Sequence, residues 1–277
     1  MSEFFTLSVL IATFASAVRL AVPYLLAALG ETIGQRSGVL NLGVDGVMLL
    51  SAFGAYYTVI ETGSHLLGVG VGLLIGLFMG VVYAVVTVHL HAKQGISGIG
   101  IFLFGLGFSD LLSQELVGAI QPIKKLPSLA KLPFVGGIFE PLEDIKYIGE
   151  LLFSHNLMTY VAFALVPIVT WMMNRTTFGL NIKAVGENPQ AADSLGVSVE
   201  RTRFFAILIG NTLAGLAGAT LSLQLGVFQQ NLTNGLGFIA VALVYFGAWR
   251  AKWVMAGAML YGLVTATRLQ WQARDII

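Results

Sequence analysis

The sequence predicts an all-α protein that crosses a membrane several times. Of its 277 residues, 56% are hydrophobic and only 10% are charged, whereas charged residues make up about a quarter of a typical soluble chain. Apolar runs of about 18 or more residues recur, and about 20 such residues cross the hydrocarbon core as a helix. Stretches such as LLGVGVGLLIGLFMGVVYAVV are continuously apolar, which favours helices over the alternating strands of a membrane barrel.

We expect one transmembrane domain over residues 1–277, with eight hydrophobic segments. The seventh and eighth are short for complete spans, so they are predicted to form a re-entrant pair or two halves of a broken helix inside the protein. The segments lie at about 7–30, 38–59, 66–88, 96–117, 156–173, 204–224, 236–249 and 253–267.

Two long polar connections interrupt these segments, at 118–155 and 174–203. When the Lys and Arg residues are assigned to alternating sides, the side of 174–203 receives eight and the other side six. Basic residues are more frequent in cytoplasmic loops. We therefore expect 174–203 to be cytoplasmic and 118–155 to be extracytoplasmic. The eight are Arg36, Lys93, Arg175, Lys183, Arg201, Arg203, Arg250 and Lys252.

A small polar group lies inside the second segment, in the stretch SGVLNLGVDGVMLL. A charge at the membrane centre costs about 2.5 to 3.5 kcal/mol, so Asp45 requires a partner or a wet cavity. Asn41 lies four residues earlier, which predicts a shared helical face, and Gly43 and Gly46 favour a broken or closely approached helix. Two interpretations stay open: these residues line a polar pathway, or they cap a structural kink. Asp110 and Arg19 are assigned to structure.

Several kinds of chemistry have no candidate site in the sequence. The net charge of +1 disfavours nucleic-acid binding. The sequence has no cysteine, and its four histidines are scattered, so no metal site is predicted. Neither G-x-S-x-G nor the phosphate-binding G-x-x-x-x-G-K-[ST] is present. We therefore expect no catalytic residues and no cofactor in this chain. If transport is driven by ATP, another subunit binds the ATP and Mg.

Small residues recur at every fourth position in two segments. They are Gly68, Gly72, Gly76 and Gly80 in the third, and Gly210, Ala214 and Gly218 in the sixth. This spacing lets helices approach closely in lipid. It favours tight packing within the chain over a dimer contact.

The connection 174–203 contains the compact insert AVGENPQAADSLGVSVERTR. Asn188 is a good N-cap, Pro189 suits the first helical position, and Gly196 fits a helix end. Ala191 and Ala192 favour the helix between them, which is about two turns long. Ser198 offers a second cap for the following membrane helix. From the residues alone, the insert is a short docking helix for another protein or an ordinary re-entry loop.

A family resemblance favours the docking helix. The stretch RTTFGLNIKAVGENPQAADSLGVSVERTR resembles the cytoplasmic coupling region of permease subunits of bacterial ABC importers, in the group of ribose and branched-chain amino-acid permeases. LAALGETIGQRSGVLNLGVDGVMLLSAFGA and LAGLAGATLSLQLGVFQQNLTNGLGFIAVALVYFGAW are similar to the nucleoside and simple-sugar branch. The resemblance covers about residues 23–269.

The resemblance implies a multi-pass permease of the bacterial cytoplasmic membrane, in contact with lipid. Its implied partners are a second permease subunit, two ABC ATPase subunits and an extracytoplasmic substrate-binding lipoprotein. The implied coupling helix runs from Gly186 to Gly196. Its residues are Gly186, Glu187, Asn188, Pro189, Ala191, Ala192 and Gly196.

The sequence departs from this family pattern in two places. Asp45 stands where this branch usually carries Glu, and relatives usually continue past ATRLQWQ into a final hydrophobic helix. Nucleosides are the expected substrates, with simple sugars as the alternative. A different alternative is an ion-coupled secondary carrier, because Asp45, Asp110 and glycine-broken helices also suit ion-coupled sites.

Overall fold

The computed structural model describes residues 7–129 and 149–272, and within them the chain folds into ten α-helices. Short π-helical turns also occur at Val85–His89 and Gly149–Phe153. The helices are α1 Leu7–Arg36, α2 Val44–Thr62, α3 His65–Ala84, α4 Gln94–Leu116, α5 Leu157–Arg175, α6 Thr177–Glu187, α7 Pro189–Ser194, α8 Val199–Leu225, α9 Leu236–Phe246 and α10 Ala251–Gln272.

Five stretches of the described chain are long and apolar enough to cross a membrane. They are Val9–Arg36, His65–His89, Gln94–Leu116, Leu157–Arg175 and Val199–Leu225. Helix α2 has 19 residues, most of them buried between α3, α4 and α8. Helix α10, with 22 residues, packs along α1. The predicted all-α polytopic fold is confirmed.

The bundle is assembled around α8, which packs against α1, α2 and α3. Glycines permit this close packing. A Cβ atom on Gly76 of α3 would lie 2.5 Å from the Asn211 carbonyl oxygen and 2.8 Å from Gly215 Cα of α8. A Cβ atom on Gly210 would lie 3.0 Å from the Gly30 carbonyl oxygen of α1. The predicted small-residue spacing therefore serves packing within the chain.

The bundle has two distinguishable ends. At one end, Arg203 Nε donates to the Ser37 carbonyl at 3.2 Å, and Lys183 Nζ donates to Asn174 Oδ1 at 2.8 Å. We call this the α6–α7 end, because it carries those two short helices. At the opposite end, the amide of Ile123 donates to the Gly226 carbonyl at 2.8 Å. The described residues of the two long polar connections therefore lie at opposite ends of the bundle.

Each of the eight predicted hydrophobic segments contains a helix, but two details differ. The eighth segment is not short, because α10 has 22 residues. Among the helices described in the eight segments, only α9, with 11 residues, is too short to span a bilayer. Helix α6 was not predicted, since its buried side is only a narrow stripe including Ile182 and Val185. Residues 130–148 of the predicted loop 118–155, and the departure expected at 273–277, lie outside the described residues.

Candidate functional site

A non-helical stretch enters the bundle between α8 and α9. Helix α8 ends at Leu225 and is C-capped by Gly226, which is left-handed with φ +75°, and α9 begins only at Leu236. Phe228 packs edge-on against Phe53 of α2, with ring centroids 5.3 Å apart. Further along, Thr233 contacts Asp45 of α2. Asp45 lies eight residues before Phe53, which is about 12 Å along that helix. We call residues 226–235 the re-entrant stretch.

Asp45 holds the inner end of the re-entrant stretch. Its carboxylate accepts hydrogen bonds from Thr233 Oγ1 at 2.9 Å and from the Gly237 backbone amide at 2.7 Å. The side chain is only 1% exposed. The first amides of a helix lack partners within the helix and carry partial positive charge, so a carboxylate there is stabilised. Asp45 therefore caps α9 from another helix, which explains how a charge is accommodated here.

Asn41 holds a different junction. Its Nδ2 donates to Asn211 Oδ1 of α8 at 3.1 Å, and its Oδ1 accepts from the Gly43 amide at 2.8 Å. Because α2 begins at Val44, Asn41 precedes the helix. The prediction that Asn41 and Asp45 share a helical face is wrong: one fastens the start of α2 to α8, and the other fastens α2 to α9.

Gly43, which lies between Asn41 and Asp45, and Gly46, which follows Asp45, allow α4 to pack closely. A Cβ atom on Gly43 would lie 2.8 Å from Ile101 Cγ2 of α4, and one on Gly46 would lie 2.6 Å from the Ile101 carbonyl oxygen. Asn41 and Asp45 are both buried. In this conformation the group Asn41, Gly43, Asp45 and Gly46 forms a junction between helices.

The exposed side of the re-entrant stretch is polar. Phe228, Leu232 and Thr233 are buried, whereas the amide residues of QQNLTN are exposed. These amide residues are Gln229, Gln230, Asn231 and Asn234. The sequence prediction placed no site here, although four amides between two apolar segments were a visible signal. We call these four residues the amide face.

A cavity of about 200 Å³ lies between the amide face and the end of α4. Asp110 lines it, and its buried Oδ1 has no hydrogen-bond partner among the described residues. Asp110 was assigned to structure because it lies near the polar end of a segment. In the fold it is instead an acceptor beside a polar cavity. The polar lining consists of Asp110, Ser113, Gln114, Gln229 and Gln230.

A second candidate site lies in the insert, where the predicted caps are confirmed. Asn188 Oδ1 accepts from the Ala191 amide at 3.0 Å, and Pro189 occupies the first helical position. The chain leaves α7 through Gly196 at φ +83°. Ser198 Oγ then accepts from the Arg201 amide at 3.4 Å and caps α8. The short helix α7 therefore lies between two N-capping residues, Asn188 and Ser198. The preceding helix α6 ends at Glu187.

The insert is fastened to the end of α1. Gly186 packs directly on the Arg36 carbonyl group, where any Cβ atom would clash. Arg203, in the first turns of α8, donates from Nε to the Ser37 carbonyl at 3.2 Å. Both ends of the insert therefore contact the chain where α1 ends, one through Gly186 of α6 and the other through Arg203 of α8.

The residues of the insert differ in how far they project from the chain. Ala192, one of the implied coupling-helix residues, is only 3% exposed and turns toward the chain itself. Ala191 is exposed. The large apolar side chains that project outward are Leu195, 84% exposed, and Leu180 of α6, 66% exposed. Leu195 lies at the C-cap of α7, where no periodic pattern marks its direction.

Comparison with known proteins identifies the family. Residues 13–275 match the model described as "Branched-chain amino acid transport system / permease component". The chain belongs to this family. A multi-pass protein of the cytoplasmic membrane follows from this membership and the five apolar spans.

Three relatives narrow the group around this permease. It is 39% identical over 260 residues to a putative glucose ABC transporter permease of Haloferax volcanii, covering 94% of this chain and 77% of that protein. It is 30% identical to a nucleoside ABC transporter permease of Lactococcus lactis, covering 89% and 78%. It is 29% identical to a guanosine ABC transporter permease of Bacillus subtilis, covering 87% and 77%. The similarity to nucleoside and sugar ABC permeases is confirmed, and no solved structure matches the chain.

Proposed function

We propose that this permease forms the membrane pathway of an ATP-driven importer for nucleosides. The observation that carries the proposal is the amide face, Gln229, Gln230, Asn231 and Asn234, exposed along a re-entrant stretch within an apolar bundle. Non-helical backbone at membrane depth is tolerated where it is buried in protein or lines a water-filled cavity. The Asp45 cap fixes the buried side, which leaves the amide side for a passing solute.

The polar groups suit a neutral solute with many hydrogen-bonding groups. Side-chain amides both donate and accept, and Asp110 adds an acceptor with an unpaired oxygen. Nucleobase edges and ribose hydroxyls offer complementary groups. Relatives named as nucleoside and guanosine permeases support this substrate class.

A simple sugar is the second candidate substrate. The relative from Haloferax volcanii, named as a putative glucose permease, is 39% identical. Sugar hydroxyls would use the same amides. We therefore propose that the choice between nucleosides and sugars is made by an extracytoplasmic substrate-binding lipoprotein, a proposed partner of this chain. Uptake measurements can distinguish the two substrates.

ATP hydrolysis is assigned to separate ABC ATPase subunits, which bind the ATP and Mg, and this chain is proposed to be non-catalytic. The ATPases would contact α7, and their closure would move α1 and α8 through Gly186 and Arg203. Rigid two-state elements of this kind transmit conformational change. A second permease subunit would complete the pathway. In this arrangement the α6–α7 end is cytoplasmic.

Reconstituted uptake tests the proposal. The permease, its ATPases, second permease and binding lipoprotein are incorporated in vesicles, and uptake of labelled guanosine and glucose is compared with and without ATP. We expect ATP-dependent guanosine uptake. Gln229→Ala with Gln230→Ala should reduce that uptake severalfold, whereas Gln272→Ala, an exposed amide on α10 outside the cavity, should not.

One result would reject the proposed mechanism, and another would reject only the proposed substrate. Gradient-driven uptake by this chain alone would identify a secondary carrier. Glucose uptake without guanosine uptake would replace the substrate and keep the mechanism.

A further inference from the structure

A second, larger cavity lies at the α6–α7 end, away from the amide face. It has a volume of about 470 Å³ and is lined by α1, α5, α6 and the start of α10. Four cationic side chains contribute to it: Arg36, Lys183, Arg250 and Lys252. Among its described lining residues there is no Asp or Glu. Four positive charges around one cavity strongly favour an anionic occupant.

The cationic side chains of this cavity have hydrogen-bond donors left for an anion. The buried Nε of Arg36 has no hydrogen-bond partner among the described residues. Lys183 uses one of its three donors on Asn174 Oδ1, at 2.8 Å. Arg250 and Lys252 are exposed at the mouth. A phosphate group, with several acceptor oxygens, matches this donor set.

An apolar groove adjoins the basic cavity. It has a volume of about 680 Å³, lies between α5 and α10, and shares Thr170, Asn174 and Lys252 with the cavity. The remaining lining is largely apolar and includes Phe163, Pro167, Trp171 and Met255.

The groove and the cavity also lie at the depth where a lipid headgroup would be. Arg36 ends α1, Asn174 is in the last turn of α5, and Ala251 begins α10, so the cavity is at the level where these helices reach the membrane boundary. Trp253, 59% exposed, lines the cavity mouth. Exposed tryptophan is typical of the membrane interface.

We propose that this composite site binds an anionic phospholipid. The phosphate occupies the basic cavity, and one acyl chain lies in the groove between α5 and α10. The inference rests on charge complementarity joined to a continuous apolar groove, because a basic pocket between transmembrane helices suits a lipid headgroup. The bound lipid would join α1, α5, α6 and α10 where the insert meets the bundle.

Native mass spectrometry of the full chain tests the site. The purified protein is incubated with equal amounts of phosphatidylglycerol and phosphatidylcholine, and retained lipid is counted. We expect preferential retention of phosphatidylglycerol. Arg250→Gln with Lys252→Gln should lower that preference by about 30-fold, given the usual contribution of two cations near a membrane surface. Lys93→Gln with Arg201→Gln, which removes two exposed cations outside the cavity, should leave it unchanged.

A second variant and a soluble competitor identify the source of the phosphate. Met255→Trp, which fills the groove, should weaken lipid retention without removing a charge. Inorganic phosphate at the concentration of the lipid should not displace it. Displacement by inorganic phosphate would reassign the cavity to a soluble anion and overturn the lipid proposal.

Two further results would also overturn the proposal. One is equal retention of the two lipids by the unmodified chain. The other is a double variant that keeps its lipid preference but loses co-purification of an ATPase, which would make the cations a protein contact.

Discussion

The Asp45 carboxylate accepts a 2.7 Å hydrogen bond from the backbone amide of Gly237, 192 residues later in the chain. This contact fixes the first turn of α9 to the first turn of α2. It also determines where the re-entrant stretch ends, because Thr233 donates to the same carboxylate at 2.9 Å. The orientation of the amide face therefore depends on one buried acid.

Replacing Asp45 tests this dependence. Asp45→Ala leaves the Gly237 amide and the Thr233 hydroxyl buried without an acceptor, and we expect a loss of about 1 to 3 kcal/mol in stability. Asp45→Asn keeps an acceptor for Gly237, and the Thr233 hydroxyl can reverse to accept from the new amide. Asn should therefore cost less, about 1 kcal/mol, through the loss of the charge-assisted bonds.

Thermal unfolding in detergent measures the stability, and thiol labelling measures the re-entrant stretch. The chain has no cysteine, so Asn231→Cys provides a single labelling position. We expect faster labelling when Asp45→Ala is added. Asp193→Ala, which removes an exposed acid of α7, is the control. Unchanged labelling and melting in Asp45→Ala would contradict the anchoring role.

Two glycines of α3 provide a matched pair for helix packing. A Cβ atom on Gly76 would lie 2.5 Å from the Asn211 carbonyl oxygen of α8, whereas one on Gly70 would meet nothing within 4 Å. Gly76→Ala should destabilise the bundle by about 1 to 3 kcal/mol through overpacking. Gly70→Ala should be neutral or stabilising by up to about 1 kcal/mol, because alanine favours helix.

Thermal unfolding of the two variants measures whether the close contact of Gly76 with α8, rather than helix propensity alone, determines the change in stability. Similar shifts for Gly76→Ala and Gly70→Ala would show that the approach of α3 to α8 does not limit stability.

Much of the fold followed from local sequence. Hydrophobic length predicted the membrane helices, and the cap residues Asn188 and Ser198 predicted the ends around α7, because these signals act within a few residues. Small-residue spacing predicted close packing, since only a narrow set of residues permits it.

The site depended on contacts that no local pattern contains. The partners of Asp45 and Asn41 lie 192 and 170 residues away. A four-residue spacing suggested a shared face, but α2 begins after Asn41 and the two side chains diverge. Similarly, helix propensity identified Ala192 as part of α7 without revealing that it faces inward, because direction around a two-turn helix is set by its neighbours.

Leu195 tests the coupling role of the insert more directly than Ala192. Leu195 is 84% exposed, so Leu195→Ala removes no packing within the chain. If the side chain is buried by an ATPase, we expect binding of that ATPase to weaken by about 10- to 100-fold, as expected for burial of a leucine. The permease itself should melt unchanged.

Affinity of the purified ATPase for the permease measures this effect. Leu66→Ala is the matched control, since Leu66 is 80% exposed at the opposite end of the bundle. Equal affinities for Leu195→Ala and Leu66→Ala would exclude Leu195 from the docking surface.

His155 predicts a pH dependence at the end opposite the insert. It precedes α5, is only 2% exposed, and its Nε2 lies 2.9 Å from the Leu151 carbonyl oxygen. Burial lowers the pKa of the imidazole below 6.5, with nearby Arg19 acting in the same direction and the hydrogen bond to Leu151 opposing both. The folded chain therefore holds a neutral imidazole under conditions that protonate it after unfolding.

The sign of the effect follows from proton uptake. Below about pH 6.5 the unfolded chain binds a proton that the folded chain does not, so stability falls as the pH falls, with a limiting slope of about 1.4 kcal/mol per pH unit. Melting temperatures between pH 8 and pH 5 should show this decline, and His155→Gln should reduce it. His91→Gln, at an exposed histidine, should retain it. An identical pH profile for His155→Gln and the unmodified chain would remove His155 as the cause.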